Sequence, residues 1–129
     1  MLEEYFKSIH WQLETEITVV PDDRDKLRSI LVNEKESGTD LVITTGGTGI
    51  GMRDFTPEIV SEFLDKEIPG IMEMIRMKYG AEKPNALLSR GIAGVMGNSL
   101  VYALPGSVKA VNEYMGETNK TMQHLFYML

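Results

Sequence analysis

The chain reads as an α/β domain: a mostly parallel sheet flanked by helices, with one antiparallel hairpin. Three features predict it. The apolar run Leu41-Val42-Ile43 empties into glycines and then a helix start, as a strand buried on both faces of a parallel sheet does. Helical and strand-like segments alternate through the first half. Two apolar runs, 91–96 and 100–104, flank Gly97-Asn98-Ser99, the spacing of a tight hairpin.

Taken in order, residues 2–9 form the end of an amphipathic helix. Residues 16–20 alternate and then turn apolar, predicting a strand that stops at Pro21. Asp22 or Asp23 then caps a helix that places Leu27, Ile30 and Leu31 on one face and ends near Ser37-Gly38. Asp40 leads into the buried strand. Thr56-Pro57-Glu58 supplies a capping hydroxyl followed by proline at the first helical position, and Ile59, Val60, Phe63 and Leu64 make the apolar stripe. Pro69-Gly70 interrupts, residues 71–78 resume the helix, and Tyr79-Gly80 closes it. After the hairpin, Pro105-Gly106-Ser107 opens a helix with Val108, Val111 and Met115 inward. Met122, Leu125, Phe126 and Leu129 then fall at helical spacing to the end. No repeat, low-complexity tract or linker divides the chain, so residues 1–129 form a single domain.

The net charge of −6 argues against a broad nucleic-acid or anionic-membrane surface. It is compatible with a phosphorylated ligand held in a small local pocket. The absence of cysteine excludes disulfides, thiolate metal sites and cysteine nucleophiles. No apolar run approaches a membrane span and no signal-peptide pattern opens the chain, so a cytoplasmic protein is expected.

The candidate site centres on Thr44-Thr45-Gly46-Gly47-Thr48-Gly49. Glycines there either make a tight turn or let a ligand approach the main chain, and the interleaved hydroxyls favour phosphate or carboxylate oxygens. The spacing matches neither a Walker loop nor the dinucleotide fingerprint. Arg53 is placed to face ligand phosphates, and Asp54 to hold Mg²⁺ or orient a reacting group; the competing reading is an exposed salt-bridging turn. Asp22 follows the preceding strand, so it converges with Asp54 at the sheet edge or serves only as a helix cap. Ser89-Arg90, Ser107 and Lys109 are further candidates. His10 and His124 are isolated and read as structural. The nine methionines fill core gaps or sit at a subunit contact.

The run 44–49, together with Arg53-Asp54-Phe55-Thr56-Pro57-Glu58, closely resembles the signature of the MogA/MoaB molybdenum-cofactor proteins and the gephyrin G domains. The likeness continues through Val20-Pro21-Asp22-Asp23, Pro69-Gly70, Leu88-Ser89-Arg90 and Leu104-Pro105-Gly106-Ser107-Val108-Lys109-Ala110, in order along the chain. It implies a molybdopterin-binding α/β fold and adenylylation of molybdopterin with Mg-ATP, releasing pyrophosphate. It further implies that Asp54 and Asp22 are catalytic and position Mg²⁺. Thr45, Gly46, Gly47, Thr48, Gly49 and Arg53 would contact ligand, with Ser89, Ser107 and Lys109 alongside. A homotrimer or hexamer, and contact with other molybdenum-cofactor enzymes, are also implied. Alternatives are a non-catalytic molybdopterin-binding or assembly module of the MoaB type, or a domain related to CinA or molybdate-insertion proteins. Two departures stand out. Val108 replaces a frequent proline, and the family's first strand and its Gly/Ser/Asp-rich loop do not precede the 2–9 helix.

Overall fold

The computed structural model describes residues 2–129. Its elements are α1 (Leu2–Ser8), α2 (Arg24–Ser37), β1 (Leu41–Thr45), α3 (Thr56–Phe63), β2 (Lys66–Glu67), α4 (Pro69–Gly80), a 3₁₀ turn (Pro84–Leu88), β3 (Ile92–Met96), β4 (Ser99–Leu104) and α5 (Val108–Met128). The strands form one sheet in the order β1-β4-β3-β2. β1 runs parallel to β4 from Leu41 opposite Leu100 to Thr45 opposite Leu104. β3 and β4 form the expected antiparallel hairpin, and the short β2 pairs antiparallel with β3.

The sheet is therefore mixed, with parallel pairing confined to β1–β4 among the described strands. The α/β class stands, and the hairpin explains the difference. A two-residue turn can only reverse the chain, whereas parallel neighbours need a long crossover.

Alternation along β4 builds two cores. Leu100, Tyr102 and Leu104 face Phe6 of α1, Met72 and Ile75 of α4, and Tyr114, Met115 and Met122 of α5. Val101 and Ala103 face Leu27 and Leu31 of α2, Ile59 and Val60 of α3, and Phe55. All six β4 residues are buried. Each fully buried large aliphatic side chain contributes about 1.5–3 kcal/mol, so β4 anchors both layers.

Four local expectations are corrected and one alternative is settled. Residues 16–20 are extended but belong to no strand, with Ile17 86% and Val19 91% exposed. Their composition suits a strand, but a strand exists only where a neighbour completes its hydrogen-bond ladder. β1 ends the sheet, and its outer edge carries no partner among the described residues. The helix cap of α2 is Asp23, whose Oδ1 accepts from the N–H groups of Asp25 and Lys26 at 2.9 and 3.1 Å. Thr56 does not cap α3. It is the first helical residue, preceded by Phe55 with no side-chain cap bond. Val108 points outward, 79% exposed. The two C-terminal helical segments are one continuous helix.

Glu117 of α5 is the one buried acid among the described residues. Its Oε1 accepts from Lys78 of α4 at 2.5 Å and its Oε2 from Lys120 at 2.8 Å. These bonds, Lys120 first, hold its carboxyl below the usual carboxylate range. A depressed folded pKa stabilises the fold above the unfolded value and loses that contribution as pH falls through the folded one. Glu117→Gln is expected to lower stability by about 1 kcal/mol at pH 7. In urea titrations the gap between variant and parent should close as pH falls below the ordinary carboxylate range; a gap independent of pH would remove the ionised carboxylate as its source.

Candidate functional site

Parallel pairing sends β1 and β4 out at the same edge, so the loop after Thr45 meets the loop after Leu104. Gly46 N–H donates to Leu104 O at 2.9 Å. A Cβ on Gly106 would lie 3.2 Å from Gly46 Cα, so the two loops touch backbone to backbone. β3 is antiparallel to β4, which brings its N-terminal end, and hence Ser89-Arg90-Gly91, to this edge too.

The glycine loop then doubles back. Thr56 N–H donates to Gly47 O at 3.1 Å, tying the loop to α3. Gly47 sits at φ +70°, and a Cβ there would collide with Thr56 Oγ1. Only glycine fits. The N–H of Gly46 is already engaged, while those of Gly47, Thr48 and Gly49 have no protein partner among the described residues. Adjacent free N–H groups of this kind make an anion-binding concavity.

Asp54 is built into the loop. Its Oδ2 accepts from Gly51 N–H at 2.9 Å, and its own N–H returns to Gly51 O at 3.1 Å. A Cβ on Gly49 would lie 2.7 Å from that Oδ2, so glycine makes room for the carboxylate. Oδ1 accepts no hydrogen bond from the described residues. One oxygen braces the loop and the other is free for a ligand, a cation or water.

Arg90 locks this arrangement. Its N–H donates to Thr48 O at 2.9 Å and its Nε to Gly49 O at 2.7 Å. Nη2 donates to Asp54 O at 2.6 Å, and Nη1 reaches both oxygens of Glu58 at 2.7 and 2.8 Å. The planar fork thus joins both ends of the loop to the first turn of α3. Sequence reasoning named Ser89-Arg90 as a candidate but did not say what Arg90 does. Its side-chain partners lie 32 to 41 residues away, and no local pattern announces them. Arg24, which sequence reasoning missed, stacks its guanidinium 4.7 Å from the Phe55 ring centre. With Ile50, Gly51, Met52, Asp54, Phe55, Glu58 and Arg90 it lines an open depression of about 470 Å³ beside the loop.

The other candidates separate. Thr45 is exposed and Thr48 is buried within the loop. Arg53 is exposed and makes no ion pair among the described residues. Ser107 caps α5, its Oγ accepting from Ala110 N–H at 3.1 Å, and Lys109 projects from the first helical turn. The hydroxyls of Thr44 and Ser89 are buried without a partner, so they are available to a ligand or water. Asp22 is exposed and makes no hydrogen bond among the described residues. No group of three His, Cys, Asp or Glu side chains that could hold a metal is gathered among the described residues. A Mg²⁺ ion does not need one, because it is commonly held by one or two carboxylates together with waters and substrate phosphates. The free Oδ1 of Asp54 fits that requirement.

Arg90→Lys keeps the charge but loses the fork. It is expected to cost roughly 2 kcal/mol and to speed amide exchange at residues 47–51 in hydrogen-exchange measurements. Unchanged exchange there would show that the loop holds itself.

Residues 1–124 match the family model described as a probable molybdopterin binding domain. A molybdopterin adenylyltransferase from Helicobacter pylori is 41% identical over 102 residues, covering 78% of this chain and 58% of that protein. The chain thus spans little more than half of that relative. Molybdenum cofactor biosynthesis protein B of Staphylococcus carnosus is 40% identical over 114 residues, 86% of this chain and 67% of its own. Among solved structures, the molybdopterin biosynthesis enzyme MoaB of Thermus thermophilus superposes with a TM-score of 0.86 at 34% identity, covering 98% of this chain and 80% of that one. The fold, the glycine loop and these matches together establish that the chain belongs to the molybdopterin-binding domain family of molybdenum-cofactor biosynthesis.

Proposed function

We propose that this domain catalyses adenylylation of molybdopterin: the terminal phosphate of molybdopterin attacks the α-phosphate of Mg-ATP, and pyrophosphate leaves. The observation that carries this reading is the convergence, at the carboxyl ends of β1 and β4, of the free N–H groups of Gly47, Thr48 and Gly49 with Asp54 and the start of α5. The naming of the Helicobacter relative as a molybdopterin adenylyltransferase supports it.

In this transfer a P–O bond forms to the α-phosphorus as the bond to pyrophosphate breaks, so the protein contributes alignment and charge stabilisation. The loop N–H groups hold non-bridging phosphate oxygens. Arg53 and Lys109 neutralise phosphate charge, and the hydroxyls of Thr45, Ser89 and Ser107 complete the contacts. Asp54 would hold Mg²⁺ through its free carboxylate oxygen, with Asp22 as the second carboxylate. Mg²⁺ bound there supplies neutralisation of the charge on the phosphates. Arg24, two residues beyond Asp22, already stacks on Phe55 beside Asp54, which supports bringing that segment to the site.

The domain works in the cytoplasm as a homo-oligomer, a trimer or hexamer, and hands its product to other molybdenum-cofactor enzymes. None of the described helices is long and apolar enough to cross a membrane. An apolar face on α4, with Met74 43% and Met77 73% exposed, supports self-association.

Asp54→Asn isolates the charge, because an amide oxygen still accepts from Gly51 N–H. Pyrophosphate release dependent on both ATP and molybdopterin is expected to fall by about 10²–10³, while molybdopterin binding changes little. Parent protein that binds molybdopterin but yields no adenylylated product would overturn the catalytic reading in favour of a binding module.

A further inference from the structure

Arg24 is the first residue of α2, yet its side chain reaches the glycine loop and lines the depression of about 470 Å³ together with Asp54, Phe55, Ile50 and Met52. Phe55 follows Asp54 directly and is anchored, 9% exposed, in the core that Leu27 and Leu31 of α2 help to build. The guanidinium carbon of Arg24 lies 4.7 Å from the centre of that ring. A buried ring thus sets the position of the cation beside the residue whose Oδ1 accepts no hydrogen bond from the described residues.

The charged groups of the depression differ in what they have left to offer. Arg90 and Glu58 satisfy each other through bonds of 2.7 and 2.8 Å. Arg24 makes no ion pair with a carboxylate among the described residues, although the chain carries 19 acids. A guanidinium stacked on a ring keeps its N–H edges in plane and open, so it offers a fork to a bidentate acceptor such as phosphate. Arg24 is exposed, and an exposed arginine loses rotamer freedom when it binds a ligand. Stacking on Phe55 has already removed part of that freedom. Ile50 and Met52, 76% and 95% exposed, add apolar surface to the same wall. Apolar surface with a few convergent polar groups is how small-molecule sites are built, and it suits a phosphate ester carrying a ring.

We propose that Arg24, oriented by Phe55, is a phosphate-binding residue, and that the depression it lines seats the substrate carrying that phosphate. The proposal deepens the adenylyl-transfer reading and rests on it for the source of the phosphate, either the triphosphate tail of the nucleotide or the phosphate ester of the pterin. Arg24 is therefore a binding residue supplied by α2, outside the glycine loop, and Phe55 is a positioning residue that acts through it.

Calorimetric titration of the parent with pyrophosphate and with inorganic phosphate, Mg²⁺ present, tests the seat when repeated on Arg24→Gln, Arg24→Lys, Phe55→Leu and Lys26→Gln. Lys26 is exposed on the same helix and controls for the loss of one charge. Arg24→Gln is expected to bind about tenfold more weakly, with the Lys26 control unchanged. Arg24→Lys should fall between Arg24→Gln and the parent, because it keeps the charge and loses the fork. Phe55→Leu is expected to weaken binding about threefold and to add nothing to Arg24→Gln in the double variant; additive losses would remove Phe55 from its positioning role. A parent preference for pyrophosphate assigns the seat to the nucleotide tail, and equal or tighter binding of phosphate assigns it to the ester. Affinity of Arg24→Gln within about twofold of the parent, an equal loss in Lys26→Gln, or no saturable binding of either anion by the parent would leave an ordinary solvated arginine and overturn the seat. Weakened anion binding by Arg24→Gln in a chain without adenylyl transfer keeps the seat and removes the reaction. Adenylyl transfer with unchanged anion binding in Arg24→Gln removes the seat alone.

Discussion

The register of β1 against β4 organises the rest of the molecule. Leu41 opposite Leu100 and Thr45 opposite Leu104 make the two strands run the same way and end together. Because β3 returns antiparallel along β4, its entry also falls at that edge. Three loops far apart in sequence therefore meet without any of them being long. A slip of one residue would turn every β4 side chain to the opposite core and separate Gly46 from Leu104 O. Complete burial of β4 on both faces is what forbids the slip.

Within that frame, Asp54, Gly49 and Gly51 behave as a unit. The carboxylate fits only because Gly49 has no side chain, and the loop closes only because Gly51 N–H meets the carboxylate. Arg90 binds carbonyls on either side of this unit, so its charge shapes the main chain and is not offered to a ligand. In the proposed reaction, the cations left for phosphate are those without protein partners. This division explains how a chain of net charge −6 can still present a local anion site.

Much of this was legible in the sequence, for identifiable reasons. The glycine loop, the proline-led start of α3 and the hairpin at Gly97-Asn98 depend on backbone chemistry that single residues reveal. Residues 16–20 misled because β propensity describes a residue's fit to a sheet and is silent on whether a neighbouring strand is present. Val108 misled because helical periodicity does not show which residues of a helix's first turn meet the core. Arg90 could not be assigned a role because its side-chain partners, Gly49, Asp54 and Glu58, lie tens of residues away. The distinction between Asp22 and Asp23 depended on one turn of backbone geometry, which placed the cap on Asp23.

The outer edge of β1 has a consequence for how the protein reaches its folded state. Leu41 and Ile43 are only half-buried there, and the strand's outward N–H and C=O groups form a template that another extended chain can copy. The same polypeptide carries such a chain in residues 16–20, rich in β-branched side chains and already exposed. Folding and intermolecular strand addition thus compete for one surface, and the competition is set by concentration, so refolding yield falls as the protein becomes more concentrated. Because the glycine loop is the direct continuation of β1, the molecules lost to that competition are those whose glycine-loop edge never forms.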